Sequence, residues 1–151
     1  MMADSNPELL IFEHLGGKGV SVERLLQRGR VAMPLCLAQR AESGGVLEAL
    51  SEVEVNLVSD EVIAEVHDDF MGDPTPTDVI TFHHGEIFIS VDTAEREGGT
   101  YGHSVEKETL LYLIHGLLHL NGHEDKLPGQ REAMTEIQEG ILEQVWLDQE
   151  M

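Results

Sequence analysis

The sequence predicts an α+β protein in which a small mixed β-sheet packs against helices, with one long apolar helix at the centre. Residues 53–58 alternate between apolar and polar side chains, which is the pattern of a half-buried strand. Two further short strands, residues 77–82 and 85–90, are separated by a turn. A long apolar helix, residues 105–121, and an amphipathic helix, residues 128–147, follow them. Short strands followed by two helices favour a sheet covered by helices.

The first half of the chain begins with an extended segment, residues 9–12, and a glycine-rich loop, residues 16–19. Ser21 is the expected N-cap of a helix over residues 22–42, with Pro34 as a possible kink and Gly44 and Gly45 after its end. After the strand at 53–58, residues 62–71 form a short helix that Gly72 terminates.

The second half contains the strand 77–82, a turn at His83 and His84, and the strand 85–90. Residues 92–97 form a short helix, and Ser104 caps the long apolar helix. The last helix repeats apolar residues every four positions on its core face. These residues are Ala133, Ile137, Ile141 and Val145.

The composition indicates an acidic protein with no membrane span. The net charge is −20, and residues 51–151 alone hold 23 acids against four bases. Such a surface repels nucleic acid phosphates except near a metal ion or a basic strip. The single cysteine, Cys36, lies in an apolar run and is expected in the core. We therefore expect one domain over residues 1–151, located in the cytoplasm and without a disulfide-linked partner. The basic strip of the first 50 residues is Lys18, Arg24, Arg28, Arg30 and Arg40.

The apolar helix carries a metal-binding pattern at its end, His115-Gly-Leu-Leu-His119-Leu-Asn-Gly122. Histidines four residues apart share a helix face at about 6 Å, a separation that lets both imidazoles bind one ion. Gly122 allows a left-handed turn that folds the chain back, so that a donor just beyond it completes the site. The candidates for that third donor are His123, Glu124 and Asp125.

Three segments, taken together, resemble the YbeY family of bacterial metal-dependent endoribonucleases. The metal-binding pattern is similar to the family signature H-G-x-L-H-L-x-G-Y-D-H. Residues 76–82, Pro-Thr-Asp-Val-Ile-Thr-Phe, are similar to P-T-D-V-L-S-F, and residues 85–89 to G-D-I-x-I. The resemblance implies a zincin-like fold and one zinc ion, although other divalent metals are possible. It also implies cleavage of single-stranded RNA in 16S ribosomal RNA 3′-end maturation and in ribosome quality control.

The sequence departs from the family pattern at two places. The resemblance assigns two ligands to His115 and His119, but the third family histidine corresponds to Asp125. Asp is an acceptable zinc ligand, and it leaves the centre less positive than a third imidazole would. His123 is the alternative third ligand. The family arginine that precedes the P-T-D segment corresponds to Met71, which cannot stabilise phosphate charge.

The leading hypothesis is a zinc-dependent endoribonuclease whose partners are single-stranded RNA, ribosomal RNA or the ribosome. Arg24 and Arg28 lie four residues apart on one helix face and are the predicted RNA contacts. A zinc peptidase is disfavoured because such enzymes place a glutamate after the first histidine, where this chain has Gly116. A non-catalytic ribosome-assembly factor with a structural metal is the remaining alternative, and it would lack RNase turnover.

Overall fold

The computed structural model describes residues 6–16, 19–42 and 44–150, without the side chains of residues 147–150. The predicted α+β class is confirmed. Lys18 and part of the predicted glycine-rich loop lie outside the described residues. Within them, no helix is long and apolar enough to cross a membrane. The elements in chain order are β1 (Glu8–Glu13), α1 (Val22–Leu37), a 3₁₀ turn (Leu47–Ala49), β2 (Glu52–Val58), α2 (Asp60–Met71), β3 (Val79–Phe82), β4 (Glu86–Ser90), α3 (Val91–Tyr101), α4 (Val105–Leu120) and α5 (Pro128–Glu150).

The four strands form one mixed sheet in the order β1-β2-β4-β3. β1, β2 and β4 run parallel, and β3 is antiparallel to β4. Helix α4 crosses the sheet closely at Gly116, where a Cβ atom would lie 2.9 Å from the Cδ1 atom of Ile87. Any larger side chain at this position would separate the helix from the sheet. The sheet therefore fixes the helix that carries both histidines.

Predicted N-caps begin three helices. The hydroxyls of Ser21, Ser59 and Ser104 each accept a hydrogen bond from a backbone N–H in the first turn of α1, α2 and α4. Helix α2 begins two residues earlier than predicted and ends at Gly72, whose φ is 69°. These ends follow from local side-chain chemistry, which a sequence shows directly.

Helix α1 ends at Leu37, whereas the sequence predicted an end at residue 42. The side-chain amide of Asn121 donates hydrogen bonds to the carbonyls of Cys36, at 2.9 Å, and Leu37, at 3.3 Å. The backbone N–H of Ala41 then bonds to the carbonyl of Asn121 at 3.1 Å. A distant residue satisfies the helix end, so the chain leaves the helix early. Cys36 lies fully buried as expected, and burial raises the pKa of its thiol to about 12.

Helix α3 continues through Gly98 and Gly99 to Tyr101, four residues past its predicted end. A Cβ atom at Gly98 would lie 3.1 Å from the Cβ atom of Glu108 on α4. The glycine therefore serves close helix packing instead of terminating the helix.

The final helix extends three residues past its predicted end, to Glu150, and its core face is rotated from the prediction. Ala133 is exposed and Ile137 is half-buried. The fully buried positions on α5 include Met134 and Leu142, together with the predicted Ile141 and Val145. The four-residue repeat predicted only part of this face, because a strict spacing of four drifts around a helix of 3.6 residues per turn.

A polar cluster joins the starts of α2 and α3 and is called the Asp60 network. The Asp60 carboxylate accepts hydrogen bonds from the hydroxyls of Ser90 and Thr93, each at 2.7 Å, and from Arg96 at 3.0 Å. Burial alone would raise the pKa of Asp60, but these hydrogen bonds lower it below its ordinary value. The network ties both helices to the end of β4.

Candidate metal centre

Two imidazoles and one carboxylate converge at the end of α4. The Nε2 atoms of His115 and His119 lie 3.0 Å apart. The Oδ2 atom of Asp125 lies 3.4 Å from the first of these atoms and 3.5 Å from the second. Both histidines are about four-fifths buried, while the Asp125 side chain is 39% exposed. The three donors therefore share one half-buried corner that opens to solvent on the side of Asp125.

Hydrogen bonds on the far sides of the two rings fix their orientation and tautomer. The Nδ1–H of His115 donates to Oε1 of Gln138 on α5 at 2.7 Å. The Nδ1–H of His119 donates to the backbone carbonyl of His123 at 2.8 Å. With its proton on Nδ1, a neutral ring in this position directs the lone pair of Nε2 to the centre. Partners of this kind orient histidine ligands in metal sites.

The separations of the three donor atoms fit a tetrahedral metal ion. Ligands at about 2.0–2.1 Å from zinc in tetrahedral geometry are separated from one another by roughly 3.3–3.4 Å. The observed edges of 3.0, 3.4 and 3.5 Å form one face of such a tetrahedron. With the tautomers above, all three atoms are acceptors, and three acceptors this close repel one another unless a cation lies between them. The residues therefore fit a divalent metal ion.

The pKa of His119 is shifted in the direction that metal binding requires. Burial lowers this pKa below its ordinary value, and the adjacent His115 lowers it further, whereas Asp125 opposes the shift. A neutral imidazole is the form that binds a metal ion. Burial therefore favours the neutral imidazole of His119, which is the form that can bind a cation.

The turn after α4 brings Asp125 back to the histidines, as predicted. Gly122 has φ of 99°, in the left-handed region. A Cβ atom here would lie 2.3 Å from the carbonyl oxygen of Gly44, so the loop from α1 also presses on the turn. The position requires glycine for two independent reasons.

His123 belongs to the same turn, but its imidazole contacts the other side of it. Its Nε2 atom bonds to the carbonyl oxygen of Gln39, and only its backbone carbonyl serves the centre, through His119. Asp125, and not His123, belongs to the described group that can hold a metal. Glu124, the third candidate donor, is exposed.

A cleft of about 820 Å³ adjoins the metal centre and runs beside α4 between α3 and α5. His115 and Gln138 form its end at the centre. Asp78 also lines it, while the carboxylate of Asp78 accepts the backbone N–H of Val79 at 2.8 Å. Asp78 therefore lines the cleft and also bonds to its neighbouring backbone.

Sequence reasoning missed two residues of this region. Gln138 holds His115, and His103 lines the cleft with its Nδ1 atom 2.8 Å from a carboxylate oxygen of Glu108. A signal existed for each. Gln138 is a polar residue among the buried positions of α5, and Glu108 is a lone acid on the core side of the apolar helix α4.

The predicted RNA contacts already pair within the protein. Arg24 donates to Glu106 at 2.8 Å, and the guanidinium of Arg28 lies 3.8 Å from the ring centre of Trp146. The Arg24 side chain is 60% exposed, whereas that of Arg28 is 13% exposed. Glu106 precedes His115 by about two and a half helical turns, so the two residues project from opposite faces of α4.

The remaining sequence candidates lie at the surface. Met71, at the position of the family arginine, is 69% exposed at the end of α2. His83 and His84 are exposed in the β3–β4 turn, as predicted. Within the described lining of the cleft there is no lysine or arginine that could replace the missing guanidinium.

Comparison with known proteins gives the same result at the level of family, sequence and fold. A family model described as Endoribonuclease YbeY matches residues 34–146. The chain is 34% identical over 137 residues to Endoribonuclease YbeY of Heliobacterium modesticaldum, covering 77% of this chain and 82% of that protein. It is 31% identical over 145 residues to Endoribonuclease YbeY of Desulfitobacterium hafniense, covering 84% and 87%.

A solved structure matches almost the whole chain. The solution structure of TM1509 from Thermotoga maritima superposes with a TM-score of 0.61 at 29% identity, covering 94% of this chain and 91% of that one. The family match includes α4, the turn after it and most of α5, which are the elements that build the metal centre.

Proposed function

The chain belongs to the YbeY family of endoribonucleases, and we propose that it cleaves single-stranded RNA with one zinc ion held by His115, His119 and Asp125. It is therefore a hydrolase that acts on RNA. The observation that supports the ligand set is the convergence of three acceptor atoms at separations of 3.0, 3.4 and 3.5 Å.

Three protein donors leave one tetrahedral position for substrate or water, which is the arrangement of catalytic zinc sites and not of closed structural ones. When bound, zinc supplies Lewis-acid chemistry, shielding phosphate charge and making a water molecule more acidic. Gln138 and the carbonyl of His123 keep both imidazoles aimed at the centre. Asp125 reduces the net charge of the ion and its three protein ligands to +1, so we expect weaker acidification of water than with three histidines.

The carboxylate at position 125 also influences which metal binds. Carboxylate oxygen is a harder ligand than imidazole nitrogen, so manganese or iron binds this donor set better than it binds three imidazoles. We propose zinc as the native ion because two nitrogen donors and tetrahedral spacing suit it.

A peptidase function is opposed by the surroundings of Gly116. A Cβ atom at this position would meet Ile87 at 2.9 Å and the hydroxyl oxygen of Thr81 at 3.2 Å. A glutamate in the position of a peptidase general base would not fit between α4 and the sheet. The alternative of an assembly factor without catalysis retains support from Asp125 and Met71 in place of the family's histidine and arginine.

We further propose that the substrate is ribosomal RNA, met on the ribosome in the bacterial cytoplasm. The processing of the 16S 3′ end and ribosome quality control are the roles that the family resemblance suggests. We propose that RNA contacts Arg24 and Arg28, and that the two arginines differ in how accessible they are. Arg24 has the exposure needed to reach a phosphate, while Arg28 is stacked beneath Trp146.

The test compares His115→Ala and His119→Ala with His84→Ala, a matched change at an exposed histidine outside the centre. The two centre variants should lose zinc, measured by metal analysis of purified protein, because two remaining donors rarely hold zinc. They should also lose cleavage of a labelled single-stranded RNA, while His84→Ala keeps both properties. Full zinc occupancy in either centre variant would refute the site. If the two centre variants lose zinc but the wild type itself cleaves no RNA, the result would favour the assembly factor.

A further inference from the structure

The cleft beside the metal centre contains a histidine that the proposed catalytic chemistry does not use. His103 is held through Nδ1 by the carboxylate of Glu108, at 2.8 Å, and Glu108 is 3% exposed. Tyr112 also hydrogen-bonds to Glu108, and burial is the main cause that raises the pKa of this tyrosine. No described residue hydrogen-bonds to the Nε2 atom of His103. The buried acid thus fixes the ring and leaves one nitrogen for a ligand.

The position of Glu108 on α4 sets the distance between His103 and the metal centre. Glu108 and His115 are seven residues apart on α4, nearly two full turns, so they share a face and lie about 10 Å apart along the axis. A group bound at His103 is therefore too far away to react at the metal. It is close enough to belong to a nucleotide that flanks the cleaved bond.

The lining of the cleft favours hydrogen-bond donors and disfavours phosphate. In the neutral ring, Nδ1–H donates to Glu108 and Nε2 is then an acceptor. Carboxylates from three helices and from the segment before β3 line the same cleft, and the described lining contains no lysine or arginine. Apolar surface of Leu111, Leu142 and Tyr112 completes the walls. The carboxylates concerned are those of Asp78, Glu97, Glu108, Glu139 and Glu143.

We propose that this cleft is a nucleobase pocket that selects an exocyclic amino group, through His103 and the neighbouring carboxylates, on a nucleotide flanking the cleaved bond. The pocket rests on the proposed RNA cleavage at the metal centre. Adenine, cytosine and guanine each carry an exocyclic amino group with two N–H donors for such acceptors, whereas uracil offers only its single ring N–H. A negative pocket excludes the phosphates, which remain on the side of the metal ion.

The first experiment measures base preference during cleavage by the zinc-loaded protein. Labelled oligo(A), oligo(C) and oligo(U) of equal length are compared by kcat/KM. The wild type should prefer oligo(A) and oligo(C) over oligo(U) by about 5- to 150-fold, the range of one base-edge contact. His103→Leu should bring this ratio close to one while zinc content stays unchanged. The matched variant His84→Leu, at an exposed turn outside the cleft, should keep the wild-type ratio.

A second experiment needs no variant, so it stands even if His103→Leu fails to fold. The ring resonances of His103 are followed by NMR while adenosine, cytidine or uridine is added to the wild type. Adenosine and cytidine should shift them at concentrations where uridine does not.

The outcomes separate the pocket from the proposed function. Equal cleavage of the three polymers, with unshifted His103 resonances, would overturn the pocket and leave the endoribonuclease intact. Shifted resonances without any RNA cleavage would support the pocket and refute the catalytic proposal. Shifts caused by an oligolysine peptide but not by nucleosides would overturn the pocket in favour of a basic protein segment.

Discussion

Removing Asp125 should abolish most of the stability that zinc confers, whereas removing His123 should not. The Asp125 carboxylate is one of three converging donors, with its Oδ2 atom 3.4 and 3.5 Å from the two imidazole nitrogens. The imidazole of His123 contacts the carbonyl of Gln39 instead. His123 contributes to the centre through its backbone carbonyl, which accepts a hydrogen bond from His119 and is retained in His123→Ala. The two variants therefore differ by one direct ligand.

The expected magnitude follows from ligand linkage. A ligand that binds only the folded state at a hundred times its Kd stabilises it by about 2.7 kcal/mol. For a chain of this size that corresponds to a rise in Tm of about 5–11 °C. Loss of an outer partner of a ligand weakens metal affinity by about 10- to 100-fold, and loss of a ligand itself reaches at least the top of that range. At the same zinc concentration, Asp125→Ala then retains about 0.4 kcal/mol, or about 1–2 °C.

The assay is thermal unfolding of each variant with zinc at a hundred times the wild-type Kd and with a chelator. The wild type and His123→Ala should show the full zinc-dependent rise, and Asp125→Ala almost none. Asp125→His restores a third donor, so it should keep the rise and increase RNA hydrolysis by adding positive charge to the centre. A full rise in Asp125→Ala with none in His123→Ala would show that the wrong donor was assigned.

Three further predictions concern the partners of the site. Gln138→Ala should weaken zinc affinity by about 10- to 100-fold in a chelator competition, because His115 loses its orienting acceptor; unchanged affinity would mean that the ring is held by packing alone. Arg24→Ala should reduce the slope of log RNA affinity against log salt by about 0.7, one single-strand phosphate, and Arg28→Ala by less; an unchanged slope in the double variant would remove this surface from the RNA path. Asp60→Asn should lower the free energy of unfolding in urea most at neutral pH and least below about pH 4. The pKa of Asp60 is lowered in the folded state, so its contribution to stability is present above the unfolded pKa and is lost as pH falls through the folded pKa. A stability difference that does not depend on pH would refute this linkage.

The elements that could be predicted from the sequence are those whose ends are determined by local chemistry. Ser21, Ser59 and Ser104 cap helices through their own hydroxyls, and Gly72 ends α2 in a left-handed turn. The early end of α1 could not be predicted this way. It depends on the side chain of Asn121, more than eighty residues away, which satisfies the last carbonyls of the helix.

The metal centre also combines features that could be predicted from the sequence with features that could not. The pairing of His115 and His119 follows from helical periodicity, and the return of the chain follows from Gly122. Gln138 and the cleft around His103 depend on how α3 and α5 pack on α4, and no local pattern encodes that arrangement. Polar residues on otherwise buried faces were the available signal.

The position of Asp125 leads us to expect that a change of ligand is tolerated better there than at the two histidines. His115 and His119 project from a helix fixed on the sheet, and each ring is held from behind by a hydrogen bond. Asp125 lies on a turn and is the most exposed of the three donors. A side chain on a turn can shift to bring a shorter carboxylate to the ion, whereas a ring locked by its second nitrogen cannot. We therefore propose that position 125 is where the charge of the metal centre can change without a change in the geometry of the two histidines.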